Sequence, residues 1–434
     1  MYWHNKTELS QHNCIKTTKS ALRIWSVIGF LFLYSSALFA QQLEIHHINV
    51  GQADATLIIS PTGKTMLIDA GNAGNGTNII CPYLTSLGIT KLNYVVCSHY
   101  HADHLGGLDE VIYGLGVDNI DTVYDRGSDE TLPDTQGFIQ YVIAADSSGR
   151  RYTISLGQVL NLGGGVTMKC VATDGEVINY GVVNNANTSE NDLSIGWRLS
   201  YNSFQYFTGG DLGGESSEYA DSETPLASQV GDVDAMKVNH HASRYSTNQT
   251  FVNSLRPEVA IIEVGNGNSY KHPTQVVLDR LATANCFIYQ TELGEGGTIP
   301  SGKGVVANGN VIIKTSGKSF TVTYGSTTHT YPGDDYLSVK TEDGLEPKVF
   351  SLYQNYPNPF NPTTTISYHL PKSAFVKLAV YDVGGRSIET LVAEPKSAGY
   401  HSVIWNGSAV PSGIYFYRID AGEYGSTKKC ILIK

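Results

Sequence analysis

An α/β layered domain followed by a small all-β module is what this chain predicts, on three observations. Apolar, β-branched runs alternate with helical pieces from Leu43 to Ala284, the pattern of a sheet covered by helices. Short strands then recur between Thr364 and Ile433, separated by turns such as Val383-Gly384-Gly385-Arg386 and Asn406-Gly407. Residues 326–346, between the two, show little periodicity and many turn formers, and read as a linker. A chain of 434 residues fits roughly two to three domains. With 45 glycines, 27 tyrosines and only 16% charged residues, the composition is that of an exported protein rich in strands and turns.

The elements follow in order. Residues 1–40 have the layout of an export signal: Lys6, Lys16, Lys19 and Arg23, an apolar run from Ile24 to Leu33, then Ser35-Ser36-Ala37-Leu38-Phe39-Ala40. Cleavage is expected after Ala40, and no later segment approaches the length of a membrane span, so none is expected in the mature chain. The mature domain, 41–325, opens with strands Leu43 to Val50, Ala55 to Ile59 and Thr65 to Asp69, the hairpin start of a sheet. A helix fits Asn78 to Leu87, and further pieces run from Gly137 to Ala145, Val166 to Val171, Leu193 to Leu199, Phe204 to Thr208, Val233 to Asn239 and Val259 to Val264, with a helix over Gln275 to Ala284. In the last module, 347–434, Val376, Leu378 and Val380 share one face of a half-buried strand, as in a sandwich.

Charge separates the parts. Residues 41–346 hold 16 Lys/Arg against 34 Asp/Glu, a net of −18, whereas residues 347–434 hold 9 against 5, a net of +4. An acidic field of that size repels a polyanion, so long nucleic acid is disfavoured as a partner. Cys81, Cys97, Cys170, Cys286 and Cys430 lie far apart without any CxxC, and read as buried small hydrophobes rather than a disulfide frame.

The chemistry concentrates at Ser98-His99-Tyr100-His101-Ala102-Asp103-His104, which follows the strand-like Leu92 to Cys97 and precedes the helix-like Leu105 to Ile112. His99 and His101, two residues apart, fall on one side of the chain. Asp103 and His104 sit at the turn into the helix and face a second position. Phe207-Thr208-Gly209-Gly210-Asp211 is a strand ending in one carboxylate, suited to bridge two cations, and Met236 to His241 is a strand ending in two imidazoles. His240, directly off the strand, is the preferred ligand, with His241 as the alternative. Asp103 is expected to orient the attacking water as well as ligate. His272, before Pro273, either donates a proton to the leaving group or only packs its loop. Asp54 and Asp69 read as supporting carboxylates.

Taken together, HxHxDH after a strand, a later Gly-Asp and a still later His look like the metallo-β-lactamase fold. The closer pattern resembles the ComEC-like competence branch of those hydrolases over residues 43–290. It comprises His47-Ile48-Asn49-Val50-Gly51-Gln52-Ala53-Asp54-Ala55, Leu67-Ile68-Asp69-Ala70-Gly71, Lys237-Val238-Asn239-His240-His241-Ala242-Ser243 and Lys271-His272-Pro273. The resemblance implies an αββα sandwich with one or two ions of zinc, or manganese, activating a hydroxide in a shallow cleft. One position would rest on His99, His101, Asp211 and Asn191 or Asp192, because no histidine lies between His104 and His240. The other would rest on Asp103, His104, Asp211 and His240. Ala53 and Ala242 stand where the branch has glycine, which implies that neither position needs a positive φ.

The carboxy-terminal stretch from Leu352 through Tyr356-Pro357-Asn358-Pro359 to Ile366, with Pro411-Ser412-Gly413-Ile414-Tyr415, resembles the type A sorting domain of type IX secretion over residues 350–434. The implied fold is a small immunoglobulin-like sandwich and the implied partner the type IX machinery. The implied destination is the outer surface or the medium, reached through the periplasm. The leading functional expectation is an exported metal-dependent hydrolase, phosphodiesterase or nuclease-like, acting on a small phosphoester. A β-lactamase or other acyl hydrolase is the alternative within enzymes, and a surface-binding protein with a degenerate metal site the alternative outside them.

Overall fold

The computed structural model describes residues 42–127, 132–183, 189–214, 220–332, 350–352, 355, 358–397 and 399–434. The expected export signal lies outside the described residues. Two compact units divide the chain, the described residues through 332 forming the first and those from 350 onward the second.

Two mixed sheets face each other in the first unit. One centres on Leu43–His47, Thr56–Ile59, Thr65–Ile68 and Tyr94–Val96, and the other on Gly196–Tyr201, Phe204–Thr208, Ala235–Lys237, Val259–Ile262 and Phe287–Gln290. Strand alternation sends successive side chains to opposite faces, and the three cores follow from it. Ile45, Ile58, Met66 and Val96 from one sheet meet Trp197, Phe204, Tyr206, Ala235, Val259 and Ile261 from the other in the central core. Leu57, Leu67 and Val95 point outward, onto Leu108 and Val111 of helix Leu108–Leu115 and Tyr141 of helix Gln136–Ser147. Phe207, Met236, Ala260 and Ile262 likewise pack on helices Glu223–Val230, Gln249–Leu255 and Gln275–Thr283. The layers are therefore helix, sheet, sheet, helix, the αββα order the resemblance implied.

Parallel pairings position the chemistry. Thr65–Ile68 and Tyr94–Val96 run parallel in the first sheet, as do Phe204–Thr208, Ala235–Lys237 and Val259–Ile262 in the second. Their carboxyl ends lead into Asp69, His99, Asp211, His240 and Glu263, the rim where parallel sheets place ligands.

One element departs from expectation. Thr327–Pro332, taken as the start of the linker, is the edge strand of the first sheet and pairs antiparallel with Ser319–Tyr324. None of its residues is buried, so it carries none of the apolar alternation by which strands are read. The second unit is all-β. A three-stranded sheet (Ser351–Leu352, Thr363–Leu370, Gly399–Asn406) and a four-stranded one (Ser387–Lys396, Ala374–Asp382, Gly413–Ala421, Tyr424–Leu432) share a core of Ile366, Tyr368, Val376, Leu378, Val380, Trp405, Tyr417 and Ile419. The five described cysteines are free thiols. Among the described residues, no helix is long and apolar enough to cross a membrane.

Candidate metal centre

Asp69 is the first support of the centre. It lies at φ +59 just past its strand, and its carboxylate accepts Ser98 N–H at 2.7 Å, Ser98 Oγ–H at 2.7 Å and His104 Nδ1–H at 2.8 Å. The last bond fixes the imidazole with Nε2 facing away. Asp54 supports from behind: Lys237, fully buried, pairs with its Oδ2, and His241 Nδ1 stands 3.2 Å from its Oδ1. His241 Nδ1 also donates to the Glu263 carbonyl at 2.8 Å. Both Nδ1 atoms are thus engaged, and both Nε2 atoms turn toward Asp211.

Asp211 is delivered by a tight turn. Gly210 adopts φ +54, and a Cβ there would meet Ser98 Oγ at 3.0 Å, so a side chain is disfavoured both by the backbone and by the space. Asp211 Oδ1 lies 3.3 Å from His104 Nε2 and 3.9 Å from His241 Nε2, and the latter is 3.4 Å from Asp103 Oδ2. Its other oxygen, Oδ2, lies 4.0 Å from His99 Nε2 and 3.6 Å from His240 Nε2. His101 Nδ1 completes that side, 3.1 Å from His99 Nε2, and Asn191 Nδ2 stands 3.4 Å from His240 Nε2.

Every expected ligand therefore comes to one place, but the two consecutive imidazoles divide differently from expectation. His241, not His240, stands with Asp103 and His104, while His240 stands on the His99 side near Asn191. The cause is the turn: His240, His241 and Ala242 take φ of 50, 50 and 63, a left-handed run that turns the two rings to different oxygens of Asp211. Ala242 thereby corrects the expectation that its position needs no positive φ; Ala53 is absent from the positive-φ residues. Such strain in non-glycine residues concentrates at functional sites.

Charges in the centre are strongly coupled. Burial disfavours a charged His104, yet Asp211, Asp54, Asp69 and Asp103 together lift its pKa well above the usual imidazole value. His241 is raised in the same way by Asp54 and Asp211 against its burial. The Asp211 carboxyl is held well below the ordinary range, His104, His240 and His241 outweighing its desolvation. Burial and the neighbouring His241 and His240 push His272 down to about 3. The shift favours the neutral ring, which offers an N–H. It reaches the centre, with its ring centre 5.6 Å from that of His240.

A metal ion fits these residues. His104 Nε2, His241 Nε2 and Asp211 Oδ1 are buried without a hydrogen-bond partner, a condition that buried polar atoms seldom tolerate. Nitrogen and carboxylate donors within 4.8 Å of one another form two groups around Asp211, one with Asp54, His104 and His241 and one with His99 and His101. Such donors suit zinc or manganese. Asp54 faces Lys237 and the Nδ1 edges, so it aims the ligands rather than joining them. Lys237, quoted above only as part of a motif, also builds the centre, as do Glu263, Arg126 and Glu190.

Residues 48–119 match the family described as Metallo-beta-lactamase superfamily, and residues 354–434 the one described as Secretion system C-terminal sorting domain. The chain thus carries a metallo-beta-lactamase superfamily domain and, at its carboxy-terminal end, a secretion-system sorting domain. Proteins it is similar to include two whose names place them in competence. It is 24% identical over 290 residues to ComE operon protein 3 of Bacillus subtilis, covering 63% of this chain and 34% of that one. Competence protein ComA of Neisseria gonorrhoeae is also 24% identical over 290 residues, covering 66% and 36%. The chain spans about a third of the length of these relatives. Among solved structures, Zn(2+)-bound PqqB from Methylobacterium extorquens is 12% identical with a TM-score of 0.35, covering 57% of this chain and 86% of that one.

Proposed function

We propose that the chain is an exported phosphodiesterase that cleaves small phosphoesters at a centre where two groups of donors around Asp211 would hold metal ions. The observation that carries this reading is the division of donors between the two Asp211 oxygens, Asp103, His104 and His241 on one and His99, His101 and His240 on the other. A pair of cations so placed suits the attacking and leaving oxygens of an in-line displacement at phosphorus. When bound, zinc or manganese lowers the pKa of water from about 15.7 to about 7 and offsets charge on the phosphoryl oxygens. The residues do the rest. Asp103, with 26% of its side chain exposed, is the carboxylate among these donors that solvent reaches, and it orients the attacking water. His272 offers its ring N–H to the departing oxygen. Asp54, Asp69 and Lys237 hold His104 and His241 in aim. The net charge of −18 over residues 41–346 favours a short substrate over a long nucleic acid.

Protein treated with a chelator is expected to lose activity on bis-p-nitrophenyl phosphate and to regain it with zinc or manganese, while nitrocefin stays intact throughout. Turnover of nitrocefin alone would replace the phosphodiesterase by an acyl hydrolase, and turnover of neither would leave a binding protein. Residues 1–40 and 347–434 serve export in this reading. Deletion of residues 350–434 should hold otherwise active enzyme in the periplasm, as fractionation would detect, and unchanged release would remove the sorting role.

A further inference from the structure

Next to the candidate centre, one aromatic ring is presented to solvent in a fixed attitude. The His272 ring lies 6.2 Å from that of His241, centre to centre, and within 24° of parallel to it. Tyr270 stacks on His272 at 5.7 Å, again within 24° of parallel, yet remains 68% exposed. Its loop is clamped. Asn268 Nδ2 donates to the carbonyls of Gly265 at 2.8 Å and His272 at 2.9 Å, while Asn268 Oδ1 accepts His272 N–H at 2.9 Å. Lys271, which joins these two residues in the chain, sits at φ +62, a conformation that a non-glycine residue keeps when its surroundings impose it.

A large ring held this firmly and left open is a surface for another flat ring, since stacking is how aromatic side chains bind bases of any sequence. His272 stands between it and the ring of His241, which puts the exposed ring beside the centre. The exposed cations Lys271 and Arg244 adjoin the two motifs in sequence, within a unit that is otherwise strongly acidic. The nearby carboxylates Glu292 and Glu295 are occupied by the backbone N–H groups of Asn266 and Gly267.

We propose that Tyr270 is the stacking platform for the base of a nucleotide phosphoester, which makes nucleotides, rather than base-free phosphoesters, the substrate class. This rests on the phosphodiesterase reading for its chemistry but not for its binding. The test is calorimetric titration of the zinc-loaded full chain with adenosine 5′-monophosphate and with ribose 5-phosphate. Adenosine monophosphate is expected to bind about tenfold tighter, the lower part of the range measured for one stacked base. Tyr270→Ala should abolish that difference, and Tyr270→Phe should keep it. Equal affinity for the two ligands, or a preference that survives Tyr270→Ala, would overturn the proposal. Hydrolysis of bis-p-nitrophenyl phosphate, assayed separately, reports on the other claim. Turnover without a base preference sinks only the platform, whereas a Tyr270-dependent preference without turnover upholds the platform and sinks the hydrolase.

Discussion

Asp211→Asn is expected to strip metal from both positions at once and to lower kcat/KM on bis-p-nitrophenyl phosphate by about a thousandfold. The carboxylate is 2% exposed, and each of its oxygens faces a different set of imidazoles. An amide in its place must turn an N–H toward one set, and an N–H cannot ligate. It also removes the negative charge that helps to raise His104 and His241. The loss of several kcal/mol of transition-state stabilisation by a bound cation corresponds to that thousandfold change. Elemental analysis of the purified variant checks the metal directly. Single-set variants supply the contrast: His101→Ala and His241→Ala should each lose about one metal equivalent and keep the other. Full activity in His101→Ala would remove the assignment of the centre.

How far the sequence reached can be judged at two turns of the chain. The His99 to His104 cluster was legible because its geometry is local: a short strand, Tyr94–Val96, runs into helix Ala102–Leu105, and spacing alone sets which side each ligand takes. The His240-His241 turn was not. Its outcome depends on three consecutive left-handed residues without a glycine among them, which residue identity argues against. Partners remote in sequence were equally hidden. Asp54 meets Lys237 and His241 only because the two sheets close on each other, and nothing in either segment marks the pairing. The layered architecture was readable throughout, since each central strand carries apolar residues on both faces, whereas Thr327–Pro332 buries no face and gave no signal.

Arg126→Met is expected to cost about 3 kcal/mol of stability in the first unit, because it leaves a carboxylate that is only 13% exposed without the guanidinium it pairs with. The Arg126 side chain is wholly buried. Its Nε donates to Glu190 Oε1 at 2.9 Å and its Nη2 to Glu190 Oε2 at 2.8 Å, a two-point pairing that fixes both groups. Glu190 Oε1 also accepts Tyr100 N–H at 2.7 Å, and the guanidinium lies over the Tyr100 ring at 4.4 Å. The pair therefore ties the loop bearing His99 and His101 to the turn Glu190–Leu193, which carries Asn191 toward His240. A second carboxylate, Asp174, stands 3.5 Å from Arg126 but is 44% exposed, so water can take over from the arginine there. Glu190, at 13%, has no such recourse. The double variant Arg126→Met/Glu190→Met is expected to recover most of the loss, since two apolar groups of similar size leave no buried charge. Urea unfolding followed through Trp197 in a Trp405→Phe background, with the leader removed, isolates the first unit, because Trp197 is buried in its central core and Trp405 in that of the second. If the single variant loses no more than an exposed ion pair is worth, below about 1 kcal/mol, the pair does not hold the loops together. The alignment of Asn191 with His240 must then come from the capping of the turn itself, where Ser189 and Asp192 already bond one another.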